Sequence, residues 1–390
     1  MTDRASRIYL DHNASAPLRA CARDAMFAAA DLTGNPSSVH GEGRAARSVL
    51  ESSRKTLADN LDVAPERVVL TSGATEGAAT LLMPLWMKSA GEVRYERLAV
   101  LDVDHPALRE GGRFHRDQFD RLPVSADGQC DLASLVEWLS EGRDRLVAVA
   151  AANGETGVTQ DVAAVADQVH SAGGRLIVDA SQIVGRLPLA AFAKPADALI
   201  LSSHKVGGPQ GIGAIVLPED GLCPMPLMTG GAQETRRRAG TPSPMLAAGF
   251  AAAFKAAAAE VSCVDSMAVL RDEFEAALLA RTSALIIGRN APRLPQTTAF
   301  QLPGQRAETV QIAADLAGIA ISSGSACQSG KVGRSVAVEA MRAGGASVDP
   351  DLGLVRMSFG AMTTSADLSR LIEVVAGLYE RSRKPMHRAA

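Results

Sequence analysis

Lys205, in "SSHKVGGPQGIG", follows an apolar run and precedes a glycine-rich turn that lets backbone approach a ligand closely. An isolated lysine at such a place usually holds its ammonium in water. Here Asp179 closes another apolar run, "GRLIVDAS", about one strand–helix unit earlier. A lysine amine can hold a carbonyl compound as a Schiff base, and a buried carboxylate can keep an aromatic ring nitrogen protonated, making the ring an electron sink. "TSGATEG" (71–77) adds an anion cradle: Gly73 permits a turn, and Ala74 and Thr75 open a helix whose unused N–H groups and dipole attract negative charge. Alone, that segment reads more readily as a plain helix cap.

Taken together, lysine, carboxylate and cradle meet the requirements of pyridoxal 5'-phosphate, with Thr75, Ser202 and His204 as further phosphate donors. His105 ends the run "RLAVLDVDH". It is suited to stack on a flat ring and to pass protons near neutral pH, or to serve as a structural histidine. Cys327 sits in "SSGSACQSGK", whose serines and glycines read as a loop, the setting of a reactive thiol rather than a packed one. Cys21, Cys130, Cys223 and Cys263 fall in helical or apolar contexts and read as structural.

The apolar runs around these residues, at 67–73, 97–105, 145–153, 174–181 and 196–205, are too hydrophobic for half-exposed strands. They predict an α/β fold with a mostly parallel central sheet covered on both faces, its ligand lying beyond the carboxyl ends of the strands. After about residue 255 the pattern changes to an amphipathic helix and separate strands, "TTAFQLPG" and "VRMSFG". The expected organisation is a large domain over 15–255 and a smaller α+β domain over 1–14 and 256–390 that carries the cysteine loop.

The chain has 390 residues, 47% hydrophobic and 21% charged, with net charge −3, so nothing calls for nucleic acid or a membrane surface. Arg236, Arg237 and Arg238 form the one strong basic run, a solvated face or an anion site. Five cysteines without a CxxC pair argue against a zinc knuckle or disulfide framework and fit a reducing cytoplasm. No signal core is evident and no stretch reads as a bilayer span; "AAGFAAAFKAAAA" reads as a buried helix.

Motifs running nearly end to end resemble the group I cysteine desulfurases, within the fold-type I pyridoxal-phosphate enzymes. They are "YLDHNASAPL", "GNPSSVHGEGRAAR", "TSGATEG", "DHPAL", "NGETGV", "VDASQ", "SSHKVGGPQGIG", "RRRAGTPSP", "SSGSACQSGKVG" and "VRMSFG". The resemblance implies that Lys205 bears the cofactor, Asp179 pairs with its ring nitrogen and Gln182 with its phenolic oxygen, and His105 stacks over the ring. It implies phosphate binding by Ala74, Thr75, Ser202 and His204, with Thr241 reaching in from the other subunit of a homodimer, and a substrate carboxylate held by Arg356 and Asn153. The activity implied is conversion of L-cysteine to L-alanine. Cys327 takes the sulfur as a persulfide, with His105 as its proton acceptor, and passes it to an acceptor protein such as an iron–sulfur scaffold, or to a thiolation reaction. Selenocysteine lyase, aminotransferase and a non-catalytic binding relative are the alternatives within the fold. Gly154 stands where the resembled enzymes usually carry asparagine, and "SAP" (15–17) replaces their threonine pair.

Overall fold

The computed structural model describes residues 7–88, 91–324 and 334–383. Its centre is a seven-stranded sheet in the order Val68–Thr71, Gly213–Val216, Ala198–Ser202, Arg175–Asp179, Arg145–Ala150, Arg97–Leu101 and Phe119–Leu122. All strands run parallel except Gly213–Val216, which is antiparallel to both neighbours. The five apolar runs all become strands of this sheet. Valine, leucine, isoleucine and alanine side chains bury both faces, as a parallel sheet sandwiched between helices requires. The strand from "RLAVLDVDH" is shorter than the run: it ends at Leu101, and His105 instead caps the short helix Pro106–Arg109.

Helix Ala74–Leu81 lies close on the sheet because Gly77 has no side chain: a Cβ there would come 2.9 Å from Ile215 Cγ2. Helices Gly41–Leu61 and Ala20–Ala30 pack on Pro244–Ala259, the alanine-rich run, which buries Phe250, Ala253 and Phe254. With the continuation to Arg281, that helical stretch is long and apolar enough to cross a membrane, contrary to the sequence reading. The buried phenylalanines make it a core element of this fold.

A second core joins Ile8 and Leu10 to Phe274, Leu278, Phe300, Val355, Met357, Leu371 and Val375. It lies against a four-stranded antiparallel sheet of Leu285–Ile286, Thr297–Gln301, Val355–Ser358 and Ser322–Ser323. The N-terminal strand Ile8–Tyr9 pairs in parallel with Ile319–Ala320, so the chain's beginning is built into its last third. Ile287, Leu294, Ala299 and Val338 nonetheless pack in the main core. Cys21 and Cys263 are exposed, where the sequence reading had packed thiols.

Candidate active site

The strand Ala198–Ser202 runs into a tight 3-10 turn, Ser203–Lys205, which brings Lys205 to the carboxyl edge of the sheet. Asp179 is the last residue of the neighbouring strand, and its Oδ1 accepts a hydrogen bond from the Ser181 amide at 2.9 Å. On the far side of Gly213–Val216, the strand Val68–Thr71 ends in Ser72 and Gly73. Gly73, at φ 155° and ψ 179°, turns the chain into helix Ala74–Leu81 from a backbone region open almost only to glycine. The first amides of that helix have no acceptor within it.

These elements enclose a cavity of about 480 Å³, lined among others by Ala74, Thr75, His105, Asn153, Asp179, Gln182, Ser202, His204 and Lys205. Nine of the residues singled out from sequence thus meet on one wall or another of a single cavity. Lys205 Nζ donates to the carbonyls of Asn13 (2.6 Å) and Ala14 (3.0 Å), in the segment "HNAS" that crosses over from the N-terminus. His204 Nδ1 lies 3.3 Å from Ser15 Oγ, and burial together with the charge of Lys205 pushes this histidine down to about 4. It is a neutral donor at physiological pH.

His105 opens onto the cavity, and desolvation by the surrounding protein, assisted by Lys205 and opposed by Asp179, lowers its pKa. Its Nδ1 accepts from the Ala107 amide at 3.1 Å. That cap fixes the neutral tautomer with the proton on Nε2. Nδ1 is thereby occupied, and Nε2 carries a hydrogen that it can donate in a hydrogen bond.

Two expected substrate contacts are arranged differently from the sequence reading. Asn153 is buried, and its side chain is committed to its own turn. Nδ2 donates to Val103 O at 2.6 Å, while Oδ1 accepts from the amides of Glu155 (2.9 Å) and Thr156 (2.8 Å). Arg356 does not line the cavity. It stands behind Gly154, donating to the Gly154 carbonyl at 3.0 Å and to Asp11 Oδ1 at 2.6 Å. Thr241 is exposed and apart from the cavity of its own chain. Cys327 lies outside the described residues.

The arginine run is split between tasks: Arg238 pairs with Glu76 of the cradle helix at 2.9 Å, and Arg237 donates to the Glu66 carbonyl. Sequence reasoning assigned no role to Asn13, Asp11, Ser181 or Arg186, all at or just behind the cavity. "YLDHNASAPL" had signalled the first two as part of a motif without saying what they touch.

The donor set fits pyridoxal 5'-phosphate: an amine and a carboxylate on adjacent strand ends, a helix N-terminus with two hydroxyls and a neutral imidazole, and a ring to stack. Ser181 adds an independent sign, since the residue lines the cavity and its buried Oγ has no hydrogen-bond partner among the described residues. Fold and site together define a fold-type I pyridoxal-phosphate enzyme. The chain belongs to the aminotransferase class-V family, which matches residues 8–371. It is 33% identical to an IscS-like cysteine desulfurase of Mycobacterium tuberculosis, with 98% of each chain covered. It is 34% identical to a cysteine desulfurase of Cereibacter sphaeroides, with 97% of each covered. A NifS-like protein of Rickettsia africae superposes with a TM-score of 0.84 at 26% identity, covering 96% of this chain and 99% of that one.

Proposed function

We propose that this protein is a pyridoxal-phosphate-dependent cysteine desulfurase that converts L-cysteine to L-alanine and loads the sulfur onto Cys327. The meeting of Lys205, Asp179 and the cradle helix in one cavity supports this reading, together with full-length similarity to proteins named cysteine desulfurases. Asp179 would hold the ring nitrogen, Gln182 the phenolic oxygen, and Ala74, Thr75, Ser202 and His204 the phosphate. His105 would cover the ring face, and Thr241 would complete the phosphate site of a second copy in a homodimer.

When bound, the cofactor supplies an electron sink that loosens the substrate's Cα–H bond and then its Cβ–S bond. Lys205 takes the Cα proton at Nζ and holds it close to the substrate. Arg356 and Asn153 would orient the substrate carboxylate by exchanging present contacts for it, Arg356 those to Gly154 O and Asp11 and Asn153 that to Val103 O; a guanidinium fork suits the task. The Cys327 thiolate attacks the substrate sulfur. As the S–S bond forms, the Cβ–S bond breaks and its electron pair stays with the three-carbon fragment. That fragment takes up protons, Lys205 Nζ returning the one it holds, and leaves as alanine. Cys327 keeps the persulfide and passes the outer sulfur to an acceptor, an iron–sulfur scaffold or a thiolation enzyme. Four described cysteines without a disulfide favour a reducing compartment, the cytoplasm.

Purified protein supplied with the cofactor should show a visible absorption band that Lys205→Ala abolishes. Cys327→Ala should keep the band and release no sulfide from L-cysteine. The sulfur-bearing keto acid 3-mercaptopyruvate in place of alanine would favour an aminotransferase, and full activity of Cys327→Ala toward selenocysteine would favour a lyase.

A further inference from the structure

Gln182 is held from behind by Arg186, four residues on along the chain. The residue is buried, 8% exposed, and its guanidinium reaches three separate segments. Nη1 donates to the Gln182 backbone carbonyl at 3.2 Å and to its side-chain Oε1. Nη2 donates to His12 O at 3.3 Å and to Lys205 O at 3.2 Å. Among the described residues no carboxylate pairs with it. The charged groups facing it are Arg19, itself paired with Glu260 at 2.6 Å, Arg356, paired with Asp11, and Lys205. Arg7 and Asp367 stand on the wall of the rear cavity that Arg186 also lines, and His12, pushed down to about 4 chiefly by burial, stays neutral.

An amide accepting at Oε1 must present Nε2 to its other neighbour, so the Arg186 contact decides which way Gln182 faces. Nε2 is now directed at Asn13 O, 3.0 Å away, on the segment that also holds Lys205 Nζ. Gly154 leaves the space beside it: a Cβ at 154 would lie 3.0 Å from Gln182 Nε2.

We propose that Arg186 is a positioning residue of the cofactor site: it locks Gln182 with Nε2 as the donor to the phenolic oxygen, and its unpaired charge stabilises that oxygen as an anion. The proposal rests on the cofactor reading above. A buried cation close to an oxygen that becomes negative favours loss of the proton shared between that oxygen and the Lys205 nitrogen. Burial, with Arg356 and Arg19, pushes Arg186 itself down to about 9, so it remains charged at neutral pH.

The test is absorbance titration of the cofactor-bound protein. Arg186→Gln should raise the pH midpoint of the visible band by about one unit, as removal of one nearby positive charge does. Arg186→Lys, which keeps the charge, should return at least half of that shift. Gln182→Glu reads the same contact with the guanidinium in place. Its carboxylate would neutralise Arg186 and raise the midpoint as well, which covers the case of an Arg186→Gln protein that does not fold. A parent protein with no titrating band overturns the cofactor reading and the proposal with it. A titrating parent whose midpoint is unmoved by Arg186→Gln or by Gln182→Glu overturns the role of Arg186 alone.

Discussion

Gly154 departs from the usual asparagine of the resembled enzymes, and its surroundings give a reason. Its carbonyl accepts from both Asn13 Nδ2 (3.2 Å) and Arg356 Nη1 (3.0 Å), while its missing side chain leaves room for the Gln182 amide. That amide cannot step aside readily, because Arg186 and Asn13 hold its two ends. Gly154→Ala should therefore press on Gln182, weaken cofactor affinity several-fold and move the visible band, while thermal unfolding of the cofactor-free protein changes little. An unaltered affinity would show that the amide has slack. The type of each of these residues could be read along the chain, but their meeting could not. Asn13, Gly154, Gln182 and Arg356 come from four distant segments, and no local periodicity couples them.

The strand Val68–Thr71 matters because it delivers the chain to the anion cradle, and its support comes from an unexpected quarter. Glu234, Thr235 and Arg236 all take left-handed backbone, at φ 47°, 55° and 65°. Such a run costs roughly 1–2 kcal/mol per residue and persists only where its surroundings hold it. A buried ion pair does so. Arg54 of the helix Gly41–Leu61 donates to Glu234 Oε2 at 2.7 Å and to Oε1 at 2.8 Å, and Glu234 also accepts from the Leu70 amide at 2.9 Å. Glu234 exposes 2% of its side chain, so removing its partner strands a buried charge. Arg54→Ala should cost about 3–5 kcal/mol by denaturant unfolding. It should also loosen phosphate binding, since the strand and the cradle move together. A loss below about 1 kcal/mol would mean water reaches Glu234. The basic run beside it, which reads from sequence as a solvated face or an anion site, turns out to brace this turn and, through Arg238 and Glu76, the cradle helix itself.

Acid should act on the whole protein through its buried histidines. His12 and His204 sit near 4 in the fold, lowered from 6.5, chiefly by burial. Between these values the unfolded chain binds protons that the folded one refuses, so their contribution to stability is complete above about pH 6.5 and is lost as pH falls toward 4. Asp104, pushed up to about 8 by burial, contributes with the opposite sign over the same window. The informative quantity is thus the difference between parent and variant. Unfolding midpoints of the cofactor-free parent should fall further from pH 7 to pH 5 than those of His12→Gln/His204→Gln. Equal falls would show that neither ring is desolvated as the fold implies.

What the chain announced on its own was chemistry and class. Apolar runs with polar endings specify a covered parallel sheet, because that signal is local and repeats with the period of the backbone, and Asp179, Lys205 and Gly73 at the strand ends are the residue types a phosphorylated ring cofactor calls for. Packing settled the rest. The antiparallel strand Gly213–Val216, the capped tautomer of His105, the Arg356–Asp11 pair behind Gly154 and the grip of Arg186 on Gln182 all join residues far apart in sequence. Such contacts carry no periodic trace, since they arise only when separate elements compete for the same buried volume and the same hydrogen bonds.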